Sequence, residues 1–211
     1  DGGISFEGVY DLENILLTCS KGGVATGEDL LKVADTLRAA RKLRKLIFDQ
    51  LIRPRLSELL KDIATLPDLQ KLLEFGLDEG GRIADRASPK LSELRRYRNS
   101  VRLQRKDILQ DIIRKYSGLL QDNIISERYG RPVLAFKAGT SDQIKGMIHD
   151  SSASGNTIYV EPQVVISIGN RLAKIDSEIS EEERRLLANW SKEVGLNAVA
   201  INHLGEILLQ I

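Results

Sequence analysis

The chain has 211 residues, 42% of them hydrophobic and 29% charged, with a formal net charge of +1, so it can bury one or two hydrophobic cores and has no overall bias toward a polyanionic partner. No stretch is long and apolar enough to suggest a membrane span. The single cysteine, Cys19, excludes a disulfide within the chain and, with only two histidines, leaves too few ligands for a structural zinc site, so a reducing cytoplasm is expected.

The first part of the chain is predicted to be helical. The run TGEDLLKVADTLRAARKLRKLIF has apolar residues at helical spacing, with Thr26 as N-cap and Asp29 in the position of the capping-box acid, which predicts a helix. Pro54 and Pro67 each favour the start of a shorter helix. The turn-rich residues 77–88 suggest a small two-stranded excursion.

Two much longer helices are predicted next. Ser88-Pro89 is a start signal, and apolar residues at helical spacing continue from it for about thirty residues, through Leu119 and Leu120. A second apolar stripe begins after Pro162, at steps of three, four or seven residues. Because each helix has one apolar stripe, the two are expected to pack as an antiparallel coiled-coil arm. The other faces of the first helix carry Arg95, Arg96, Arg98, Arg102, Arg105 and Lys106.

Between the two helices the hydrophobic period changes to that of strands. NIISERYGRPVLAFKA gives two short runs joined at Tyr129-Gly130-Arg131, and QIKGMIHD and NTIYVEP give two more, joined by a serine-rich turn from Asp150 to Asn156. The expected fold is therefore mainly α with a small β insert, in which long antiparallel helices carry a four-stranded antiparallel module. A module at the end of an arm touches little of its own protein, which favours contact with a partner.

Charge is concentrated in the middle of the chain. Residues 86–145 carry 14 basic and 6 acidic side chains, whereas residues 1–85 carry 12 and 15, and residues 146–211 carry 5 and 9. A basic block of this kind neutralises phosphates and releases their counterions. A solvated helix face produces the same pattern, so the block alone does not decide between the two.

The sequence His149-Asp150-Ser151 contains the residue types of a hydrolase triad. Neighbours on a strand point to opposite faces, so His149 and Asp150 are expected to diverge, and a relay would need a serine brought to His149 by the fold. The small polar residues around Gly155 are better explained by a tight turn. Exposed amides and hydroxyls in such a turn also suit contacts with phosphate.

A second motif, GGVATGEDL, resembles a P-loop in the spacing of Gly22 and Gly27. Glu28 and Asp29 stand where a lysine and a serine or threonine are required, so we interpret the motif as a helix connection. The carboxylates from Glu181 to Glu183 are typical of a solvated helix face rather than a metal cluster. No catalytic, cofactor or metal site is predicted in this chain.

Three stretches resemble the MutS-two family, bacterial paralogues of MutS that lack its mismatch-reading N-terminal domain. They are KGGVATGEDLLKVADTLRAARKLRKL, LDEGGRIADRASPKLSELRR and GRPVLAFKAGTSDQIKGMIHDSSASGNTIYVEPQVVISIGNRL, of which the HDSSASGNTIYVEP block is the most specific. The resemblance covers nearly the whole chain. The start Asp1-Gly2-Gly3, without an initiator methionine or leader, agrees with a piece excised from a longer protein.

The resemblance implies an architecture of core, levers and clamp. Residues 1–87 would form a helical core, residues 88–122 and 163–211 the lever helices that return to it, and residues 123–162 the β clamp. Family members continue into a dimeric ATPase domain that uses ATP and magnesium, and usually into a Smr nuclease domain. The full-length protein is therefore expected to be a homodimeric ATPase and endonuclease, and this piece a monomer without a cofactor or an activity.

The function implied by the resemblance is to enclose branched or duplex DNA and to suppress homologous recombination. Binding of ribosomal RNA and rescue of collided ribosomes is a further family role. Within the clamp we infer contacts from basic and polar residues of this sequence, namely Arg128, Arg131, Lys137, Lys145, Ser151, Ser152, Ser154 and Asn156. The alternative is a coiled-coil interaction module whose β tip docks a protein, which an exposed apolar patch on the tip would favour.

Overall fold

The structure is a computed structural model that describes residues 7–49, 65–140 and 143–208. These residues form mainly helices and one four-stranded antiparallel sheet, which confirms the predicted fold class. The chain divides into two compact units, one of residues 1–92 and 181–211 and the other of residues 93–180. They are called the first unit and the second unit below.

The first unit is helical. Its described elements are α1 (Glu13–Ser20), α2 (Gly27–Asp49), α3 (Pro67–Gly76), the first residues of α4 (Pro89–Lys115), the C-terminal part of α5 (Gln163–Leu196) and α6 (Ala198–Leu208). Thr26 caps α2 as predicted, since its hydroxyl accepts the N–H of Asp29 at 3.2 Å and donates to the Asp29 carboxylate at 2.7 Å. The prediction of a helix at Pro67 is confirmed, and the one at Pro54 lies outside the described residues.

Residues 77–88 form a tighter connection than the predicted pair of strands. Leu77 and Ile83 make a single antiparallel bridge, and two short 3₁₀ turns, Glu79–Gly81 and Asp85–Ala87, occupy much of the rest. Gly81 has a φ of +72°, and an added Cβ would collide with the backbone at the start of α2. The close approach of this loop to α2 therefore requires glycine and leaves no length for a longer hairpin.

A buried carboxylate connects the start of α4 with α5 inside the first unit. The Glu182 side chain is 2% exposed and accepts hydrogen bonds from Arg185, at 2.7 and 3.0 Å, and from the Ser88 hydroxyl, at 2.7 Å. The Ser88 hydroxyl also accepts the N–H of Leu91, at 3.3 Å, so Ser88 is the N-cap of α4. The hydrogen bonds from Arg185 and Ser88 lower the pKa of Glu182 to about 2.

The second unit contains the sheet together with residues 93–115 of α4 and residues 163–180 of α5. The strands are β1 (Leu120–Arg128), β2 (Arg131–Lys137), β3 (Gly146–Ser151) and β4 (Thr157–Pro162), in the order β1-β2-β4-β3 with antiparallel neighbours. Both predicted hairpins are thereby confirmed. Tyr129 and Gly130, at φ +51° and +74°, form the first turn with the backbone conformation that two-residue hairpins favour.

The sheet and the two long helices share one hydrophobic core, formed by Leu109, Leu120, Leu134, Phe136, Val160 and Val165. Tyr116 packs edge-to-face against Phe136, with ring centroids 6.4 Å apart. The prediction that the helical stripe continues through Leu119 and Leu120 is wrong, because α4 ends at Lys115 and the Tyr116 carbonyl accepts both of their N–H groups. Leu120 begins β1 instead, where the sheet core buries its side chain.

Within the second unit, α4 and α5 meet in antiparallel order. Arg98 Nη1 lies 3.3 Å from Asp176 Oδ1, and Arg171 Nη2 donates to Gln104 Oε1 at 2.6 Å. Residue numbers thus rise along one helix as they fall along the other. The finer coiled-coil packing of the arm stays a prediction.

The low pKa of Glu182 predicts a pH-dependent contribution to stability. Because the folded pKa lies below the unfolded one, the ionised carboxylate stabilises the fold at neutral pH, and this stabilisation is lost as the pH falls from about 4.5 toward 2. We expect Glu182→Gln to lower the free energy of unfolding at pH 7 by roughly 2 kcal/mol. In thermal melts followed by circular dichroism, the difference in melting temperature between Glu182→Gln and the wild type should become smaller as the pH falls from about 4.5 toward 2.

Glu181→Gln, at an exposed neighbour on the same helix, is the matched control and should leave the melting temperature nearly unchanged at every pH. A difference between Glu182→Gln and the wild type that stays constant down to about pH 2.5 would contradict the role given to the ionised carboxylate.

Candidate nucleic-acid interface

Arg128 lies at the end of β1, and its side chain crosses the sheet. Its guanidinium lies over the Tyr159 ring, 4.0 Å from the centroid, and its Nε donates to Asp150 Oδ2 at 3.2 Å. Because β1 and β3 are the two edge strands, this contact spans the width of the sheet. The ring contact and the ion pair hold the side chain across the face and leave 33% of it exposed.

Arg131 begins β2 and faces a buried carboxylate. Glu161, on β4, is 1% exposed, and its Oε1 lies 3.5 Å from Arg131 Nη1 while its Oε2 shares a hydrogen bond of 2.9 Å with His149 Nε2. Within the described residues Oε1 has no hydrogen-bond partner, so Arg131 compensates it by charge alone. At Gly169 an added Cβ would lie 3.0 Å from Arg131 Nη1, so the glycine leaves room for the guanidinium.

The side chains of His149 and Asp150 lie on the same face of the sheet, so the prediction that they point to opposite faces is wrong. The register between β3 and β4 shifts just before Asp150, which is a β-bulge. The bulge cancels the alternation, so His149 contacts Glu161 while Asp150 pairs with Tyr159, two residues away on β4. Ser151 engages Asp150 through its backbone N–H rather than its hydroxyl, which is not the geometry of a Ser-His-Asp relay.

Lys137 and the serine-rich turn lie together at the far end of β2. Lys137 pairs with Thr157, and its Nζ donates to the Gly118 carbonyl at 3.0 Å. The Ser152 hydroxyl accepts the N–H of Thr157 at 3.1 Å and lies 3.3 Å from the Ser154 hydroxyl, so it helps to close the turn. The exposed polar residues here are Ser154 and Asn156 in the turn and Ser151, the last residue of β3.

The predicted contact residues therefore occupy three places rather than one. Arg128 and Arg131 flank the first turn, whereas Lys137 lies beside the serine-rich turn. Lys145 is exposed just before β3, where its carbonyl accepts the N–H of Gln163 at 2.9 Å. The two turns lie at opposite ends of the sheet because β2 and β4 run antiparallel.

Sequence reasoning placed the candidate contacts on the sheet and missed the basic residues of α4. Arg128 and Lys137 each donate a hydrogen bond to an internal acceptor, and Arg131 is paired by charge with Glu161. Within the described part of the second unit, the basic side chains that make no ion pair or hydrogen bond are Arg96, Arg102, Arg105, Lys106, Lys115, which lies over the Tyr116 ring, and Lys145. The basic run in the sequence could have indicated these residues, but a helical pattern does not show which of its arginines meet a carboxylate in the fold.

The P-loop-like motif does not fit the phosphates of a nucleotide. Gly27 and Glu28 begin α2, and the Thr26 hydroxyl lowers the pKa of Asp29, which keeps an anion where a cation is needed. Among the described residues, no group of three His, Cys, Asp or Glu side chains could hold a metal ion. In that same part of the chain, every helix is too short or too polar to cross a membrane.

The buried pair predicts a coupled loss of stability. Arg131→Ala should lower the free energy of unfolding by roughly 3 kcal/mol, because it leaves Glu161 buried without its cation. Adding Glu161→Gln should recover most of this loss, since a neutral amide needs no opposite charge. Urea unfolding of the two single variants and the double variant measures the coupling.

Lys145→Ala removes an exposed cation that has no internal acceptor and serves as the control, with no change expected in the unfolding midpoint. Effects of Arg131→Ala and Glu161→Gln that simply add would show that the two residues are not coupled.

Curated proteins named Endonuclease MutS2 match this chain over nearly its whole length, whereas no family model matches it. The protein from Synechocystis sp. is 40% identical over 199 residues, which are 94% of this chain and 24% of that protein. Those from Pelotomaculum thermopropionicum and Symbiobacterium thermophilum are 35% and 33% identical over 95% and 99% of this chain, and 26% of their own lengths. The chain spans about a quarter of the length of these relatives. It belongs to the MutS-two family and corresponds to one region of its longer members.

Proposed function

We propose that the second unit binds nucleic acid through the phosphates, as the clamp of a MutS-like protein that encloses branched or duplex DNA. The observation that carries the proposal is the unequal charge of the two units. Residues 93–180 carry 14 basic and 10 acidic side chains, whereas the rest of the chain carries 17 and 20. A net positive unit attracts the phosphodiester backbone whatever the base sequence.

The serine-rich turn would supply neutral contacts. Ser151, Ser154 and Asn156 are exposed at the end of the sheet that also carries Lys137. Hydroxyl, amide and backbone N–H groups contact phosphates without reading bases. At the other end of the sheet, Arg128 and Arg131 already have carboxylate partners, so only their exposed edges would reach a ligand.

The proposed mechanism is mechanical. Closure of an ATPase dimer would rotate the long helices as levers and bring two clamps around the nucleic acid. The antiparallel order of α4 and α5 supports this role, since a paired arm resists bending. ATP and magnesium would act in a part of the protein other than this chain, because the P-loop-like motif does not fit them, and we assign the nuclease activity in the relatives' names to such a part as well.

The wider role we propose is suppression of homologous recombination by a cytoplasmic homodimer, with this region monomeric when isolated. Ribosomal RNA is the second candidate target, and binding would serve the rescue of collided ribosomes. Both targets present a phosphodiester backbone to the same surface, so the choice between them depends on the shape of the nucleic acid rather than on its charge.

One observation favours the alternative, a module that docks a protein. Tyr129, at the tip of the first hairpin, is 84% exposed, and Ile124 and Ile148 are 64% and 54% exposed. Exposed apolar side chains often mark a binding site. Ile124 and Ile148 lie on opposite edge strands, however, which divides the apolar area and favours nucleic acid over a protein partner.

A salt titration of binding tests the proposal. With branched DNA, plain duplex and structured RNA in a filter-binding assay, the logarithm of the association constant should fall linearly with the logarithm of salt concentration. Replacing Arg128, Arg131 and Lys137 together by alanine should weaken binding to every sequence and flatten the slope, because fewer counterions are released.

Because Arg131 compensates Glu161, this triple variant is made in a Glu161→Gln background, with Glu161→Gln alone as the reference. An unchanged slope would remove the sheet cations from the interface. Failure to bind any of the three nucleic acids at about 50 mM salt would leave the protein-docking alternative.

A further inference from the structure

Two segments that meet in the second unit contain no carboxylate. Residues 94–106 of α4 carry six basic side chains, and residues 162–175, nearly all in α5, carry two, with no aspartate or glutamate in either. The segments are neighbours, because Arg171 donates to Gln104 at 2.6 Å. The first acid beyond them on α5, Asp176, is already engaged by Arg98 at 3.3 Å. This part of the arm therefore carries positive charge that carboxylates on these segments do not balance.

Three cations of this region share one face of α4. Arg102, Arg105 and Lys106 have the i, i+3, i+4 spacing of helical neighbours, and we call them the α4 stripe. Arg102 and Lys106 are exposed and Arg105 is half-buried. None of the three makes an ion pair or hydrogen bond within the described residues. Their other neighbours at three or four positions are also free of acids, namely Arg98, Asn99, Val101, Leu103, Ile108, Leu109 and Gln110.

We propose that the α4 stripe binds consecutive phosphates of a nucleic-acid backbone, an inference that rests on the proposed function and assigns its main electrostatic contact to the helix rather than to the sheet. Like charges one helical turn apart repel, and a polyanion relieves that repulsion. Arg102 and Arg105 each present a planar fork that matches a phosphate. The sheet arginines must share their guanidinium groups with Asp150 and Glu161, whereas the stripe gives up no internal contact.

The dimensions and surroundings of the stripe favour nucleic acid over an acidic protein. From Arg102 to Lys106 the helix rises about 6 Å, and phosphates follow one another every 3.4 Å or so along the axis of one DNA strand. The polar neighbours Asn99 and Gln110 are exposed beside the stripe. A protein interface of useful affinity needs several buried aromatic or apolar anchors, whereas among the neighbours of the stripe named above Leu103, 63% exposed, is the one exposed apolar side chain.

The test removes the three charges and measures the salt slope for duplex DNA. In the whole chain, Arg102→Gln, Arg105→Gln and Lys106→Gln together should reduce the slope by about 2 to 3, since each lost phosphate contact changes it by about 0.9. The control triple Lys21→Gln, Lys71→Gln and Lys192→Gln changes the net charge equally at exposed positions of the first unit and should leave the slope nearly unchanged. The double variant Arg102→Lys and Arg105→Lys keeps both charges and should keep most of the wild-type salt slope.

The possible results separate this proposal from the one on which it rests. Binding by the wild type with an unchanged slope in the stripe variant overturns the stripe and leaves the nucleic-acid function standing. No binding by the wild type at low salt overturns both. A poly-glutamate peptide of matched charge that competes as well as DNA would overturn the assignment to nucleic acid. If the triple variant melts at a lower temperature than the wild type, the single variant Lys106→Glu takes its place in the test. One reversed charge should still flatten the salt slope, and an unchanged slope in this variant overturns the stripe.

Discussion

The second unit depends on the compensation of one buried carboxylate, that of Glu161. Removing an ion from water costs several kcal/mol unless opposite charge and hydrogen bonds replace the solvent. Arg131 from β2 and His149 from β3 do this from the two sides of β4. Because β2 and β3 are the strands on either side of β4, a single side chain fixes both neighbours. Alternation from Ile148, which pairs with Val160, already places His149 on the face on which Glu161 lies, and the bulge brings Asp150 to the same face.

This compensation limits what the sheet cations contribute to a ligand. A phosphate that contacts Arg131 competes with Glu161, and one that contacts Arg128 competes with Asp150 and with the Tyr159 ring. Part of the free energy gained from the contact with phosphate is then offset by the weakened contact within the protein. The sheet thus presents mostly polar, neutral groups in its serine-rich turn, and apart from Lys145, just before β3, the positive charge without an internal partner lies on α4.

Local patterns predicted the elements well and their side-chain partners poorly. The cap at Thr26, the proline start at Pro67 and both hairpin turns follow from neighbouring residues alone. Leu119 and Leu120 fit a helical stripe as well as the start of a strand, and only packing against the sheet decides between them. The bulge between Ile148 and Asp150 lies in the pairing of β3 with β4, and His149 meets Glu161 twelve positions along the chain, neither of which a local pattern shows. For the candidate site, residue types were predictable, but whether an arginine meets a carboxylate is a property of the fold.

Arg98 and Arg102 show why this last distinction matters for function. They lie one turn apart on the same helix, yet Arg98 meets Asp176 and Arg102 meets no acid within the described residues. The difference comes from α5, whose acidic residues begin only at Asp176. Val101 and Leu109, both buried, hold α4 in place by apolar packing, so the helix tolerates repulsion of a few tenths of a kcal/mol on its exposed face. Charge that the fold tolerates without using is free to act on a ligand, which separates the α4 stripe from the arginines that hold the sheet together.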